Sequence, residues 1–481
     1  MRIKITTKPI HSKKTTIIPY NSSESTHISE ACLSSFSVLK SVAQIDNGTY
    51  HLVDDKNKAR SFEFVDLKKS QSLGIWIDTF QQWNQKKDDV QIDFRDEAFV
   101  TELRPLVQAI HLAQYDIAKF SSKKGKSGSK KSNPAISIIV SNNYLQTAKK
   151  ILEEESILVG QQMEVMDLVN GPGNKVNAPY FNKWVRKSAR SSGFKVRIFN
   201  KKQIIEKGLH ALSAVNRGSE WDPSFIIAEY YGSKSPGAKT LGLVGKGVTF
   251  DTGGLSIKGS NNLHYMKSDM GGAAAVLGTI SAVAALQWPV NIIAITPITD
   301  NCVDANAIKP GDVIDSYSGH TIEVINTDAE GRLILADALS YLVKNYETDH
   351  IIDLATLTGS SVRTFGTACA ALFCNDEELE EQLFISGLDT AEKLWSLPLW
   401  DEYDDEMKSD IADIKNLATK PMAGAITAAK FLQFFTHEHP SWAHLDIAGT
   451  AFGETPFAKG KAATGYGVHL LCHFIQEHLC G

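Results

Sequence analysis

From residue 225 onward, short apolar runs alternate with longer helical ones, and this alternation restricts the fold more than any other feature of the chain. Strand candidates at 225–230, 240–244, 290–296 and 350–354 are separated or followed by helical runs at 273–286, 335–346 and 426–435. Such alternation predicts an α/β unit with a mostly parallel central sheet flanked by helices. Ligands of such sheets bind beyond the carboxyl ends of the strands. A length of 481 residues exceeds one ordinary core and predicts two domains.

The smaller one is expected to be an N-terminal α/β domain over 1–165 that includes a linker helix. The larger, over 166–481, carries the chemistry. In the first part, 4–7, 16–19 and 135–140 read as strands, and 97–120 as one amphipathic helix broken or kinked near Pro105. Residues 143–169 read as one long helix or two in succession, stopped by NGPGN at 170–174. Between them SSKKGKSGSKKSNP (121–134) reads as an exposed loop. Its sharper alternative, a nucleic-acid patch, lacks any aromatic residue for base stacking.

A net charge of -5, with 43% hydrophobic and 22% charged residues, fits a globular chain and gives no reason to expect nucleic-acid or membrane binding. The N-terminus has no apolar core of signal-peptide length. No stretch is expected to reach the roughly 20 apolar residues of a membrane helix. The six cysteines form no CxxC pair and read as thiols of a reducing compartment. The expected location is the cytoplasm.

Chemistry-bearing residues concentrate in two segments, VGKGVTFDTGGLSIKGSNNLHYMKSDMGGAAA (244–275) and NTDAEGRLILADAL (326–339). The LGLVGKG run has Thr240 and Gly247 where a phosphate loop needs Gly and Ser or Thr. Neither HExxH nor GxSxG occurs. Taken singly, each candidate has an ordinary reading: Asp269 as a helix N-cap, Lys246 and Lys258 as surface lysines, Asp328 and Glu330 as a solvated loop or the acidic first turn of a helix, and Arg332 as their structural partner. Gly245, Gly247, Gly253 and Gly254 permit a bulge or turn that draws Lys246 and Asp251 together. Asp328, Glu330 and Arg332 share one parity and would point the same way from an extended backbone. Four clustered acids, Asp251, Asp269, Asp328 and Glu330, would repel one another unless divalent cations neutralised them. Zn, Mn, Mg and Co all suit such carboxylate sites.

NTDAEGR (326–332) resembles the signature of the leucyl aminopeptidase, or cytosol aminopeptidase, family. The 244–275 segment resembles that family's other metal and catalytic region. LVNGPGN (168–174), DLATLTG (353–359), WAHLDIAG (442–449) and ATGYGV (463–468) extend the likeness from residue 168 to the C-terminus. The resemblance implies two divalent metal ions. Lys246, Asp251, Asp269 and Glu330 would bind the tighter one, and Asp251, Asp328 and Glu330 the more exchangeable one. Asp328 would add its backbone carbonyl, and Lys246 must be neutral to ligate. Lys258 would polarise the scissile carbonyl, and Arg332 would hold a bicarbonate ion as general base. Met266 would line the pocket for the first side chain, and Leu357 would contact the peptide substrate through its backbone. Gly259 and Leu263 stand where the family often has Pro and Met, which loosens the Lys258 loop. The resemblance also implies a homohexamer. The alternatives are an additional DNA-binding role, a catalytically silent scaffold, or another two-metal hydrolase.

Overall fold

The computed structural model describes residues 2–9, 15–20, 39, 48–53, 59–67, 72–86, 89–122 and 135–480. Residues 123–134, most of the Lys-rich segment, lie outside the described residues, so the nucleic-acid alternative for that segment has no structural counterpart here. The chain divides into two compact units, Met1–Gly160 and Gln161–Gly481. The division falls inside one uninterrupted helix, Leu145–Asn170.

The first unit is built on a six-stranded sheet. Its strands are β1 (Arg2–Thr6), β2 (Thr15–Tyr20), β3 (Gly48–Val53), β4 (Ala59–Asp66), β5 (Val90–Phe94) and β6 (Ala135–Val140), in the order β1-β6-β5-β2-β4-β3. Only the β3–β4 pair is antiparallel. The single helix expected over 97–120 is replaced by a 3-10 turn, Glu97–Glu102, and a shorter helix, Leu103–Leu112. Pro105 sits in that helix's first turn. The amide hydrogens there have no helical acceptor, so proline costs nothing and makes no kink. Beyond Leu112 no apolar face is buried, and Phe120 is exposed. Without packing, a further helical turn gains too little to persist.

The second unit holds a nine-stranded sheet. Its strands are β7 (Lys195–Phe199), β8 (Ser224–Tyr231), β9 (Thr240–Gly245), β10 (Gly247–Asp251), β11 (Asn291–Asn301), β14 (His350–Ala355), β15 (Ala370–Cys374), β16 (Leu394–Ser396) and β18 (Trp442–Asp446). Three short strands, β12 (Val313–Asp315), β13 (Thr321–Glu323) and β17 (Ile414–Lys415), form a separate sheet. In the large sheet the order is β16-β15-β18-β14-β9-β11-β8-β7, with β10 on β11. The centre, β18-β14-β9-β11, is parallel throughout. Being covered on both faces, β9 and β14 are buried along nearly their whole length and are mostly apolar, with Asp353 as the buried acid of β14.

Helices Gly271–Ala285 and Glu330–Asn345 cover this centre. The stretch Leu263–Ala285 has the length and mean hydropathy of a membrane span, yet 94% of its apolar window is buried in the fold; it comprises the 3-10 turn Leu263–Ser268 and the core helix Gly271–Ala285. Among the described residues, Cys302, Cys369, Cys374, Cys472 and Cys480 are free thiols.

Candidate active site

The site forms where β9, β14 and β18 end, at their carboxyl ends. Lys246 occupies the one-residue joint between β9 and β10. Beyond it the β10–β11 register shifts between Val248 and Asp251, the irregularity that the glycines allow. Gly253 and Gly254 then adopt left-handed backbone angles, φ 85° and 63°, which turn the chain back on itself. Asp251 is fixed by that turn: its Oδ1 accepts from Gly253 N (2.8 Å) and Asn301 Nδ2 (2.9 Å).

The turn is clasped to the second loop from both sides. Ser256 N donates to Thr327 Oγ1 (2.8 Å), Thr327 N to Ser256 Oγ (3.1 Å), and Thr327 Oγ1 to Gly253 O (2.7 Å).

These loops gather six predicted residues into one cluster. Lys246 Nζ lies 2.8 Å from Asp269 Oδ2 and 3.0 Å from Glu330 Oε1, and donates to Thr356 O at 3.1 Å. Lys258 Nζ lies 2.8 Å from Asp251 Oδ2 and is in contact with Asp328 Oδ1. One carboxylate oxygen each from Asp251, Asp328 and Glu330 falls within a mutual 4.8 Å.

Lys246 reaches its place by lying over the first turn of the Glu330–Asn345 helix. A Cβ at Gly331 would stand 2.4 Å from Lys246 Cε, so only glycine leaves room there. Asp269 is not the N-cap of the following helix: Met270 holds that position. Its Oδ1 instead accepts from Thr356 Oγ1 at 2.7 Å. Nor do Asp328 and Glu330 meet through strand parity, because Glu330 is the first residue of a helix.

Several polar atoms in the cluster are buried with few partners: Glu330 Oε2 and Arg332 Nε have none, and Asp269 Oδ2 and Glu330 Oε1 face the Lys246 ammonium alone. Such atoms are uncommon in a folded interior and call for an explanation, an ion among them.

Burial, then Asp251, pushes the Glu330 carboxyl up to about 8. Burial likewise pushes Asp269 up to about 6 and raises Asp328. Burial opposes the charged form of Lys246 too, yet Asp269, Glu330 and Asp251 hold its ammonium well above the ordinary value. A cation that uses Lys246 as a ligand must therefore expel its proton. Lys258 is also kept protonated, against burial, by Asp251, Glu330 and Asp328. Arg332 is fully buried, which lowers it to about 10; its Nη1 donates to Asn416 O at 2.9 Å.

The two predicted substrate residues lie on the flanking segments. Met266 is half-buried in the 3-10 turn Leu263–Ser268, and its carbonyl accepts from Asp269 N at 3.4 Å. Leu357 follows β14, and its N–H donates to Asp446 Oδ1 at 3.1 Å.

Sequence reasoning missed Asn301, Thr356, Asn416 and Asp446, which hold the loops. Thr356 and Asp446 lie inside DLATLTG and WAHLDIAG, so those motifs were the available signal. Asn301 and Asn416 lie in none.

A fold with a parallel centre and a buried cluster of acids and lysines at its carboxyl edge defines a hydrolase-type site that calls for cations. The family model described as cytosol aminopeptidase family, catalytic domain, matches residues 164–472. The chain is 48% identical over 332 residues to the probable cytosol aminopeptidase of Chlorobaculum tepidum, covering 69% of this chain and 66% of that protein. It is 45% identical over 383 residues to the protein of the same name from Chloroherpeton thalassium, covering 77% and 74%. With that of Chlorobium limicola the figures are 50% over 313 residues, 65% and 61%. The chain thus spans about two thirds of the length of these relatives. It belongs to the cytosol aminopeptidase family, the metallo-exopeptidases of the leucyl aminopeptidase type.

Proposed function

We propose that this chain is a metal-dependent aminopeptidase of the cytoplasm, releasing N-terminal residues from peptides, leucine and other large apolar residues foremost. The observation that carries this reading is the set of buried carboxylate oxygens around Lys246 that have that ammonium as their sole partner or, for Glu330 Oε2, none. Four acids and an amine suit two divalent cations, zinc or manganese first, with magnesium or cobalt as alternatives. Lys246, Asp251, Asp269 and Glu330 would hold one cation; Asp251, Asp328 and Glu330 would hold the other. When bound, the pair supplies Lewis-acid polarisation and a lowered pKa for water.

The chain's own residues do the rest. Lys258 is the more exposed of the two lysines, at 24% against 4%. It stays cationic and donates to the carbonyl oxygen as negative charge grows there. Arg332 offers its unused Nε–H to a small planar anion, which suits a bicarbonate ion as general base. Leu357 gives its N–H to Asp446, so its carbonyl is the backbone group left to accept from the peptide. Half-buried Met266 favours an apolar first side chain. We also infer a homohexamer from the family resemblance; sedimentation of the purified chain at six times the monomer mass is the expected result. The comparisons lend no support to a DNA-binding or scaffold role.

The direct test is hydrolysis of leucine p-nitroanilide by the purified chain. Activity should vanish with a chelator and return with manganese or zinc. Persistent activity in chelator would overturn the metal reading. Faster release of a charged first residue than of leucine would overturn the preference.

A further inference from the structure

We infer that Asn416, far from the acids in sequence and outside both metal-binding segments, is the positioning residue that sets the geometry of the 325–330 loop for metal. This rests on the metal-dependent reading above. Asn416 is fully buried, one residue past β17. A side-chain amide offers two acceptor sites and two donor hydrogens, and here all four are used on a single loop. Its Oδ1 accepts from Ile325 N (2.8 Å) and Asn326 N (3.3 Å). Its Nδ2 donates to Asn326 O (2.7 Å) and Ala329 O (3.3 Å).

The main chain of the same residue adds two more bonds. Asn416 N donates to Glu323 O (2.9 Å), and Asn416 O accepts from Arg332 Nη1 (2.9 Å). Asn326, gripped on both its N–H and its carbonyl, uses its own Oδ1 to accept from Asp328 N (2.7 Å). Ala329, held by its carbonyl, immediately precedes Glu330. One side chain therefore fixes the backbone on either side of Asp328 and directly before Glu330. Its carbonyl fixes the Arg332 guanidinium, two residues past Glu330 in the first turn of the helix.

The obvious replacements do not meet these demands. Aspartate would oppose an anionic oxygen to two carbonyls, and serine is too short to span Asn326 and Ala329 together. Residues that orient metal ligands in this way typically change metal affinity by about 10–100-fold when replaced.

The test measures Mn²⁺ binding to the chelator-treated full chain by titration calorimetry, beside thermal unfolding of the same samples without metal. Asn416→Ala and Asn416→Ser are compared with Asp413→Ala. Asp413 ties Thr321 N and Oγ1 (2.8 and 2.9 Å) on the same small sheet and touches no part of the loop. Both Asn416 variants should weaken Mn²⁺ binding by about 10–100-fold, whereas Asp413→Ala should bind as wild type even where its melting temperature falls as far. Unchanged Mn²⁺ affinity in whichever Asn416 variant folds, or an equal loss in Asp413→Ala, would overturn the inference. A wild-type chain that binds no Mn²⁺ would instead sink the metal reading, and this inference with it. Failure of both Asn416 variants to fold while Asp413→Ala folds would reassign Asn416 to global stability and also overturn it.

Discussion

Glu330 and Asp446 are both buried acids at the carboxyl edge of the same sheet, and they differ in what touches their oxygens. Asp446 accepts from Leu357 N, Thr358 N, Ala448 N and Thr358 Oγ1. Asp353 beside it takes His444 Nδ1 (2.6 Å) and Trp442 Nε1 (2.8 Å). Glu330 has only the Lys246 ammonium, 3.0 Å from its Oε1, and nothing on its Oε2. A buried carboxylate saturated by protein donors is a structural part, since removing it strands those donors. One left open at a cost in desolvation is held ready for something outside the chain.

The largest effect that could break this contrast is on activity. Glu330→Ala should lower kcat/KM by well over the roughly 100-fold that supporting residues around a metal can cost, because Glu330 would touch both cations. Lys258→Ala should lower kcat by about 10²–10³-fold, the size expected for one oxyanion donor. Measured on leucine p-nitroanilide, either variant at wild-type rate would dissolve the site. In the chelated chain Glu330→Ala leaves the Lys246 ammonium paired with Asp269 alone while relieving a carboxyl that burial raises to about 8, so its melting temperature should move far less than its activity.

Asp446→Ala should do the reverse. It strands the amides of Leu357, Thr358 and Ala448 and the Thr358 hydroxyl, at about 1–3 kcal/mol for each fully buried group. A loss of at least about 3 kcal/mol of stability is expected in urea unfolding. A variant as stable as wild type would show that saturation is not what separates the two acids.

That contrast also explains what the sequence made legible. The strands at 240–244 and 350–354 announce themselves because parallel strands buried on both faces are mostly apolar instead of alternating. The acids stand out because they crowd into two glycine-rich segments. Asn416 and Asn301 carry no such mark: a lone asparagine in KNLA or TDNC is indistinguishable from a turn residue until the fold brings Asn326 or Asp251 against it. The lengths of helices were less legible than their existence. The helix expected at 335–346 begins at Glu330, because the Asp-Ala-Glu-Gly run is held in place by tertiary bonds from Asn416, which propensity does not register. In the first unit, periodicity alone could not tell that the apolar residues after Leu112 end up only half-buried or exposed.

A smaller effect follows from proton balance. Without metal, Asp269 and Glu330 keep protons to about 6 and about 8 in the folded chain, against roughly 4 when unfolded. The folded state then binds more protons between about pH 4 and 8, so stability falls as pH rises through that window. Asp337 and Glu392, both pushed to about 7 by burial, contribute with the same sign and are remote from the cluster. The chelated chain should therefore lose melting temperature more steeply from pH 5 to 8 than the manganese-loaded chain, in which Asp269 and Glu330 no longer contribute while the groups remote from the cluster still do. Manganese should also bind more tightly as pH rises, with release of protons. Parallel slopes for the two forms would mean that the open acids are not where metal binds.

The smallest effect concerns Gly259, beside Lys258. A Cβ there would meet nothing within 4 Å, and its φ lies outside the left-handed range. Glycine is thus not required by the fold, unlike Gly331 under Lys246. Gly259→Ala should stabilise the chain by about 0.4–1 kcal/mol, through the lost freedom of the unfolded state. The loop is already fastened by Lys258 N on Thr252 O (2.9 Å) and by the Ser256–Thr327 clasp, so kcat should stay within about twofold of wild type, under roughly 0.5 kcal/mol of barrier. A severalfold fall in kcat with the expected gain in stability would show that the Lys258 loop must move during turnover. The open acids would then be only half of the working site, with a mobile lysine as the other half.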